Sequence, residues 1–458
     1  MRMLRCGGTG LMMKDRVAAS RRVLIANYRY FISSGPERYL FNIKSMLEGR
    51  GHTVMPFSVR YGQNEPSEYA RYFVSPLAGE DEVFFDQHRK TPATVAKTLS
   101  RLFYSREVEQ AVTRMAEETR PDVAYVLYYL RKMSPSLLVG LKKQGLPIVA
   151  RISDYGMFCG EHHMLRDGRP CTLCLDEGLQ NEVRHACVKG SRAISALDVA
   201  ATTFHRAKGY FDLIDRFVTT NPFMSEMMIR GGIDPARIVC IPTFTDMARF
   251  HPDADGPASP PYMLYVGRLD EPKGVHVLIE AMAMLRDRFG GDLPELRIAG
   301  EGHTRTYVDG LHAQAARLGL EGRVRFLGGV AGDDIPLLFR GALFSLMPAL
   351  WYENLPNSVV ESLSSGCPVV ASDIGSLAVT ITDGVDGLHH RPGDAAHLAA
   401  QAARLIADPA LRRRLAAGAR ETAERNHSPD RHVSLLEGVF DEVIGEAGAP
   451  AAKRAAIG

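Results

Sequence analysis

Short apolar segments alternate with helical patterns along most of the chain, in two series separated by a polar segment. Strands that alternate with helices in this way are typical of a parallel sheet covered by helices on both faces. The strands predicted for the first series are 21–27, 122–129, 147–152 and 216–220. Those predicted for the second series are 262–267, 295–300, 324–328, 343–348 and 368–372, with helices between them at 274–288, 304–319, 333–341 and 357–365. The sequence therefore predicts an α/β protein of two domains with a cleft between them.

The boundaries of the predicted domains follow from shifts in composition. Residues 244–261 lose all periodicity and gain Pro, Asp, Gly and Ser, which is typical of a linker. We predict a first domain at 21–243 with a cysteine-containing insert at 159–187, a second domain at 262–427, and a C-terminal helix at 428–446 that packs back toward the first domain. Residues 1–20 are predicted to be an uninformative extension, and 447–458, made of small and polar residues, a disordered tail.

Length and composition narrow the classes of function. A chain of 458 residues is too long for one ordinary hydrophobic core, which favours two domains. A hydrophobic fraction of 45%, a charged fraction of 24% and a formal charge of +2 give no polyanion-binding signature, so nucleic acid is not the expected ligand. No apolar run reaches the roughly 18 to 20 residues of a membrane span, and the opening segment lacks the long apolar region of a secretion signal. We therefore expect a cytoplasmic protein.

Two cations follow the first predicted strand of the second domain. The loop GRLDEPKG places Arg268 and Lys273 at the carboxyl end of that strand, where doubly wound sheets bind ligands. An arginine fork and a lysine point charge suit a pyrophosphate. The same pair also occurs on ordinary solvated loops, and the motif alone fits either interpretation.

Two carboxylates lie in the stretch WYENLPNSVVESLSSGCPVVAS, residues 351–372. Pro356 stands where a helix should begin, so the amides at Asn357 and its neighbours are unpaired donors suited to a phosphate. Glu361, about one turn into the helix, has two acceptor oxygens that match a vicinal diol such as ribose O2 and O3, and Glu353 can accept hydroxyls from a second sugar. This pattern predicts a nucleotide-sugar site. The alternative is that both are ordinary exposed acids near a helix start, where negative charge is favourable.

The motifs resemble those of the family four retaining glycosyltransferases, whose GT-B architecture has two Rossmann-like domains facing each other across a cleft. In the second domain the matching blocks are YVGRLDEPKGVHVLIEAMAML, LRIAGEG, VRFLGGV, ENLPNSVVESLSSGCPVVASDIGS and DGVDGLHHRPGD, in the family's order. In the first domain they are SSGPERYLFNIKSMLEGRGH, SPSLLVGLKKQGLPIVARISDYGMFC and NPFMSEMMIRGGIDPARIVCIPTFTDMARFHPD. The resemblance covers roughly residues 22–446, and the ordered set is more specific than any single motif.

The resemblance implies roles for individual residues. Arg268 and Lys273 would contact the donor diphosphate, Glu353 the donor sugar and Glu361 the ribose, while the loop around Gly35 approaches the phosphates across the cleft. The candidate catalytic residues are Glu353, Arg268, Lys273 and Asp154. The candidate donor-binding residues are Gly35, Arg268, Lys273, Asn354, Leu355, Pro356, Asn357 and Glu361.

The sequence departs from the family's pattern at three places. Many members have His-Asp after the strand PIVARI, where this chain has Ser153 and Asp154. Asn354 replaces the commoner glycine of the glutamate motif, a change that bears on which sugar fits. The usual Pro-Glu after the DIG-type sequence is Ala378 and Val379 here.

The function predicted on this basis is retaining transfer of a hexosyl group from a nucleotide-diphosphate sugar to a hydroxyl of a glycan or lipid-linked acceptor, in cell-surface polysaccharide or glycoconjugate synthesis. The resemblance implies a nucleotide sugar as co-substrate and no required cofactor. A sugar-nucleotide epimerase of the same fold and a catalytically silent nucleotide-binding scaffold are the alternatives. A hydrolase would need Glu353 and Glu361 to face each other about 5 to 10 Å apart, and their place within phosphate-site motifs argues against it.

Cysteines cluster in the insert of the first domain. Cys159, the C-x2-C pair Cys171 and Cys174, and Cys187 have a spacing that could close a tetrahedral structural zinc site. The spare candidate ligands are His162, His163 and His185. The alternative is a set of small buried thiols, and an iron–sulfur cluster ranks below both.

The region from 57 to 120 matches the family least and mixes basic with aromatic residues. Because the first domain of this fold receives the acceptor, these residues could meet a lipid-linked glycan in peripheral contact with the inner face of a membrane. The alternative is an amphipathic helix packed on its own domain.

Overall fold

The computed structural model describes residues 20–33, 35–81, 91–253 and 259–448 of the chain. Its strands are β1 (Arg22–Asn27), β2 (Thr53–Phe57), β3 (Val123–Tyr128), β4 (Ile148–Arg151), β5 (Leu165–Arg166), β6 (Arg169–Pro170), β7 (Arg216–Thr219), β8 (Ile238–Cys240), β9 (Tyr262–Val266), β10 (Glu295–Ala299), β11 (Val324–Gly328), β12 (Ala342–Met347), β13 (Val369–Ser372) and β14 (Gly387–His390).

Helices follow most of these strands. They are α1 (Gly35–Gly49), α2 (Pro92–Phe103), α3 (Arg106–Thr119), α4 (Ser136–Lys143), α5 (Leu173–Asp176), α6 (Gln180–Arg184), α7 (Arg192–Ala207), α8 (Pro222–Arg230), α9 (Val275–Phe289), α10 (Arg305–Arg317), α11 (Ile335–Gly341), α12 (Asn357–Ser364), α13 (Gly375–Thr380), α14 (Ala395–Ala407), α15 (Pro409–Asn426) and α16 (Pro429–Gly448).

Two six-stranded sheets form the framework. Their strand orders are β2-β1-β3-β4-β7-β8 and β11-β10-β9-β12-β13-β14, and every strand pair in both is parallel. The predicted α/β class with two Rossmann-like sheets is confirmed. The part of the chain carrying the first sheet is called the first lobe below, and the part carrying the second sheet the second lobe.

Each sheet has one point where the chain reverses its direction of winding. In the first sheet the neighbours β1 and β3 are separated by the excursion through β2, and in the second sheet β9 and β12 are separated by the excursion through β10 and β11. The loops that leave the carboxyl ends of such neighbours diverge to opposite faces, which opens a crevice. The predicted site residues Arg268 and Lys273 follow β9, and Glu353 follows β12.

Helix α16 ends the described chain and packs on the first sheet rather than on the second. Val433 and Phe440 are fully buried in a core shared with Val23 and Tyr125, and the rings of Tyr125 and Phe440 lie 5.6 Å apart. Burial of a Phe side chain of this kind stabilises a fold by about 1.5 to 3 kcal/mol. The C-terminal helix therefore connects the second lobe to the core of the first.

The small antiparallel pair β5–β6 was not anticipated from the sequence, and neither were three strands of the two six-stranded sheets: β2, β8 and β14. All three lie at a sheet edge, where one side of the strand has no partner. β2 contains Pro56, a residue that sheets tolerate at an edge and that argues against a strand when it is met in sequence. The predicted domain boundaries stay predictions. The predicted N-terminal extension 1–20 and tail 447–458 lie outside the described residues, except for residues 20, 447 and 448.

Among the helices of the described residues, none combines the length and apolar character that crossing a membrane would require.

Candidate active site

A buried ion pair lies in the crevice of the second sheet. Lys273 Nζ contacts Glu353 Oε1 at 2.5 Å, and the two side chains are only 13% and 7% exposed. Trp351 Nε1 donates a hydrogen bond of 2.8 Å to the same carboxylate oxygen, and Lys273 lies 5.5 Å from the centre of the Trp351 ring. A carboxylate that accepts from a cation and an indole in this way is held in one orientation, with its other oxygen free of these two contacts.

The loops after β9 and β12 approach each other so closely that one position must be glycine. Gly274 has φ +74°, and a Cβ built on it would lie 2.0 Å from the carbonyl oxygen of Pro348. Leu350 N also donates to Pro272 O at 2.8 Å. The two loops are therefore joined through their backbones, which brings Lys273 to Glu353.

Arg268 stands at the mouth of this crevice. Its side chain is 50% exposed and pairs with Asp270, with Nη1 3.0 Å from the carboxylate, and Nη1 also lies 3.4 Å from His303 Nε2. Nothing among the described contacts joins Arg268 to Lys273 directly. The guanidinium retains open donors for an anion.

A cavity of about 570 Å³ is lined by residues of both lobes, including Asn357 and Glu361 of helix α12. Polar and apolar residues line it together. They include Gly35, Arg38, Arg249, Val266, Ile335, Asn357 and Glu361. A cavity of this size is large enough for a nucleoside.

Glu361 is one of three carboxylates that line this cavity, with Asp246 and Asp333. Burial raises its pKa from an ordinary value of 4.5 to about 7, although the charges of Arg38 and Arg249 act in the opposite direction. The side chain is partly accessible from the cavity. A buried carboxyl group whose desolvation outweighs the attraction of its neighbouring cations can gain by accepting hydrogen bonds from a ligand.

The first turn of α12 follows the loop that carries Glu353 and contributes Asn357 to the wall of the cavity. Pro356 occupies the position before the helix and provides no side-chain cap, while Asn357 is exposed. A Cβ at Gly35, the first residue of α1 in the other lobe, would lie 3.3 Å from Asn357 Nδ2. The amino ends of two helices therefore meet here, and both carry partial positive charge.

Asn354 contacts the first lobe. Its Oδ1 accepts from Thr220 Oγ1 at 2.6 Å, and its Nδ2 donates to the backbone oxygen of Ser153 at 2.9 Å. Its own backbone oxygen accepts from Asn221. The side-chain amide of Asn354 is thus occupied by contacts between the lobes, and Leu355 beside it is half-buried.

Asp154 lies in the first lobe just after β4. Burial by itself would raise its pKa, but the neighbouring His162 charge, a hydrogen bond of 3.0 Å from that ring and one of 2.8 Å from Gly156 N together lower it to about 2. The next residue, Tyr155, reaches toward the second lobe, with its hydroxyl 3.5 Å from Glu353 O. Asp154 is therefore ionised and is engaged with the insert.

Sequence reasoning missed several residues of the site. Arg38 and Arg249 line the cavity, but the sequence analysis assigned no role to either. His163 contacts Trp351, with ring centres 4.9 Å apart. Trp351 had a usable signal, since it is the only tryptophan of the chain and stands two residues before Glu353. His163 was named only as a spare metal ligand.

The structure does not support the predicted zinc site. Cys159, Cys171, Cys174 and Cys187 are free and partly buried, and burial followed by the neighbouring thiols raises the pKa of Cys174 to about 12. Within the described ranges, no group of three or more His, Cys, Asp or Glu side chains is placed to hold a metal ion. The cysteines are close enough to affect one another's titration but do not converge as a ligand set.

Comparison with known proteins identifies a family model that matches the second lobe and relatives that match half of the chain or more. Residues 247–422 match the family described as Glycosyl transferases group 1. The lipopolysaccharide core biosynthesis glycosyltransferase LpsE of Rhizobium meliloti is 34% identical over 282 residues, which are 60% of this chain and 78% of that protein. A D-inositol 3-phosphate glycosyltransferase of Salinispora arenicola is 34% identical over 252 residues, and the match spans 50% of this chain and 55% of that relative's length.

Solved structures share the fold over nearly the whole chain. Sucrose-phosphate synthase from Thermosynechococcus elongatus superposes with a TM-score of 0.67 at 19% identity and covers 93% of this chain and 100% of its own. Anabaena HepE in complex with UDP-glucose has a TM-score of 0.61 at 18% identity, with coverage of 93% and 100%. At such identities the likeness concerns the fold.

Proposed function

Because the chain belongs to the family Glycosyl transferases group 1, we propose that it transfers a sugar from a nucleotide-diphosphate sugar to an acceptor hydroxyl. The observation that carries this proposal is the placement of two carboxylates on either side of the amino end of α12. Glu353 lies with Lys273 in the crevice, and Glu361 lies in the 570 Å³ cavity. This spacing suits a ligand with a sugar at each end and a diphosphate between them.

In the proposed complex each part of the donor has a partner. Glu361 accepts from the ribose hydroxyls, and the apolar wall at Val266 and Ile335 contacts the base. The diphosphate lies at the first turn of α12 between Arg268 and Lys273, and Glu353 accepts from hydroxyls of the donor sugar. HepE, whose solved complex holds UDP-glucose, has the same fold, which makes uridine nucleotides the first donors to test.

The reaction we propose is retaining. The bond between the sugar C1 and the β-phosphate oxygen breaks, and a bond from C1 to the acceptor oxygen forms on the same face. The acceptor proton passes to the departing diphosphate oxygen. Arg268, Lys273 and the helix terminus stabilise the charge that develops on the diphosphate, and the closed cleft orients the acceptor.

We further propose that the sugar is a hexosyl group and that the acceptor is a glycan or a lipid-linked glycan of a cell-surface polysaccharide or glycoconjugate. The relative LpsE is named for lipopolysaccharide core biosynthesis, which supports this class of acceptor. The acceptor would enter the first lobe beside Asp154 and Tyr155, of which Tyr155 donates to the backbone oxygen of Glu353.

Thermal unfolding with a nucleotide panel tests the donor site. The melting temperature of the purified protein is measured with UDP, GDP, ADP, TDP and their sugars, since a ligand at about 100 times its dissociation constant adds about 2.7 kcal/mol of stability. We expect a shift with one nucleotide that disappears in Glu361→Ala. Gln401→Ala, on helix α14, is the matched control and should retain the shift.

Product analysis separates transfer from its two alternatives. A glycosyltransferase releases nucleoside diphosphate only together with a glycosylated acceptor, and the anomeric configuration of the product tests retention. An epimerase converts the donor without an acceptor. A silent scaffold binds nucleotide and forms no product, and that outcome with a broad acceptor set would contradict the proposal.

We also propose peripheral contact of the first lobe with a membrane. Helices α2 and α7 touch each other and expose four apolar side chains, namely Val95, Leu99, Ile194 and Leu197. The basic residue Arg192, exposed at the start of α7, adds affinity for anionic lipid.

Co-sedimentation with phosphatidylglycerol vesicles should fall in the double variant Leu99→Ser and Leu197→Ser but not in Leu337→Ser, an exposed apolar position in the second lobe. Binding that is indifferent to these changes would overturn this point.

A further inference from the structure

The cysteine-containing insert 159–187, which lies between β4 and α7 of the first lobe, contains two adjacent histidines, His162 and His163. His162 faces its own lobe, where Nδ1 lies 3.0 Å from Asp154 Oδ2. Arg131 contacts the same ring and forms a two-pronged pair with Asp198, at 2.7 and 2.6 Å. His162 is therefore held by a network of buried charges.

His163, the next residue, faces the other lobe. Its ring meets the Trp351 ring edge to face, with centres 4.9 Å apart and planes at 64°. Trp351 is the residue that donates to Glu353 Oε1 and lies against Lys273. His163 is exposed as a residue, although the protein around its ring partly desolvates the imidazole.

The backbone around His163 is strained. His162 has φ +63° and Met164 has φ +48°, so both neighbours of His163 adopt the left-handed conformation that side chains disfavour. Each such residue costs on the order of 1 kcal/mol, and it persists only where the surroundings impose it. The Asp154–His162 contact and the burial of Met164, which is 2% exposed, are what impose it here. His163 therefore contacts Trp351 from between two residues in the left-handed conformation.

The charges around His163 determine what it can bind. The protein around the ring disfavours its charged form and, with His162 and Arg268, lowers its pKa, although Asp154 and Glu353 act in the other direction. A neutral imidazole offers one donor and one acceptor, which matches a sugar hydroxyl. A diphosphate already has cations in Arg268 and Lys273, to which a neutral ring would add little.

We propose that His163 contacts the donor sugar beside Glu353 and determines which sugar the site accepts. This inference rests on the proposed function and adds to it a residue from the first lobe. The insert thus places a histidine over the sugar end of the crevice, in a chain that has Ser153 immediately before Asp154.

The contact itself can be tested without any ligand. Trp351 is the only tryptophan, so the emission of the free protein reports on its surroundings alone. We expect His163→Ala to change the intensity or wavelength of that emission. His185→Ala, a change at another histidine of the same insert, should leave it unaltered. Equal emission from wild type and His163→Ala would overturn the contact.

Binding measurements then test the role. For the nucleotide selected by the thermal panel, dissociation constants are measured for the nucleoside diphosphate and for its series of sugars. His163→Ala should bind the nucleoside diphosphate within about twofold of wild type and the preferred nucleotide sugar about fivefold more weakly, the effect of one net hydrogen bond. His163→Phe, which retains a ring against Trp351, should behave like His163→Ala, while His163→Asn should recover part of the sugar affinity.

The outcomes separate this inference from the proposed function. A wild-type protein that binds no nucleotide of the panel overturns both. A protein that binds nucleotide sugars with a preference which His163→Ala and His163→Phe both retain overturns the inference alone. Equal binding by wild type of the nucleoside diphosphate and every one of its sugars also overturns it.

Discussion

At the scale of single residues, Lys273, proposed to bind the donor diphosphate, forms an ion pair with Glu353, proposed to bind the donor sugar. Both side chains are buried, so removing either leaves the other without compensation. In Glu353→Gln the proposed hydrogen bond from a donor-sugar hydroxyl no longer has a charged carboxylate as its acceptor. We expect turnover to fall roughly 10- to 100-fold while nucleotide affinity changes little. Steady-state kinetics and nucleotide titration measure the two effects. The control is Glu424→Gln, an exposed acid in α15, and equal negligible effects of Glu353→Gln and Glu361→Ala would contradict the assignment.

Glu361 gives the site a pH dependence. Its pKa is raised to about 7, so between pH 4.5 and 7 the folded state binds more protons at this group than the unfolded state. The contribution of Glu361 to stability therefore falls as pH rises through this window. We expect the stability difference between Glu361→Gln and wild type to shift in favour of the variant from pH 5 to pH 8. Chemical denaturation at several pH values measures it, and a difference independent of pH would contradict the raised pKa.

Nucleotide binding should show the complementary dependence. A ribose diol donates to the ionised carboxylate, so binding favours deprotonated Glu361. We expect the nucleotide affinity of wild type to rise from pH 6 to pH 8. The Glu361→Gln variant controls for titration of the nucleotide itself and should show a weaker rise.

At the scale of elements, the site depends on how tightly the loops after β9 and β12 are joined. Gly274→Ala adds a Cβ both at φ +74° and within 2.0 Å of a carbonyl oxygen. Gly322→Ala is the matched control, because Gly322 has φ +76° with nothing within 4 Å of the added Cβ. Both variants should lose about 1 to 2 kcal/mol to the left-handed conformation, and Gly274→Ala should lose more because its backbone must also move. Equal melting temperatures of the two variants would show that the loops are not in close contact.

Central and edge strands differ in how well the sequence predicts them. Central strands such as β3 and β12 are buried on both faces, so their continuous apolar runs were read correctly. The edge strands β2, β8 and β14 were missed because an edge position tolerates proline, polar residues and short length. The spacing of the cysteines suggested a zinc site, but spacing in sequence does not determine whether the four thiols come together around one metal ion.

At the scale of the whole molecule, the Asn354 side chain joins the second lobe to the first through hydrogen bonds. Asn354→Ala removes three side-chain hydrogen bonds between the lobes, to Thr220, Ser153 and Asn221, each contributing about 1 kcal/mol. We expect the radius of gyration measured by small-angle X-ray scattering to increase and turnover to fall. Asn64→Ala is the control, because Asn64 donates to Val59 within the first lobe. An unchanged scattering profile in Asn354→Ala would mean that other contacts keep the cleft closed.

The sequence by itself determined the two parallel sheets, their helices, the family resemblance and the candidate residues Arg268, Lys273, Glu353 and Glu361. Periodicity is local and reports which face of an element is buried, and the motifs stand at strand ends that the fold brings to one edge. Only the tertiary structure turned Asn354 toward the other lobe and placed His163 on Trp351. Such contacts join residues far apart in sequence, and they depend on the closure of the cleft and the path of the insert, which no local pattern encodes.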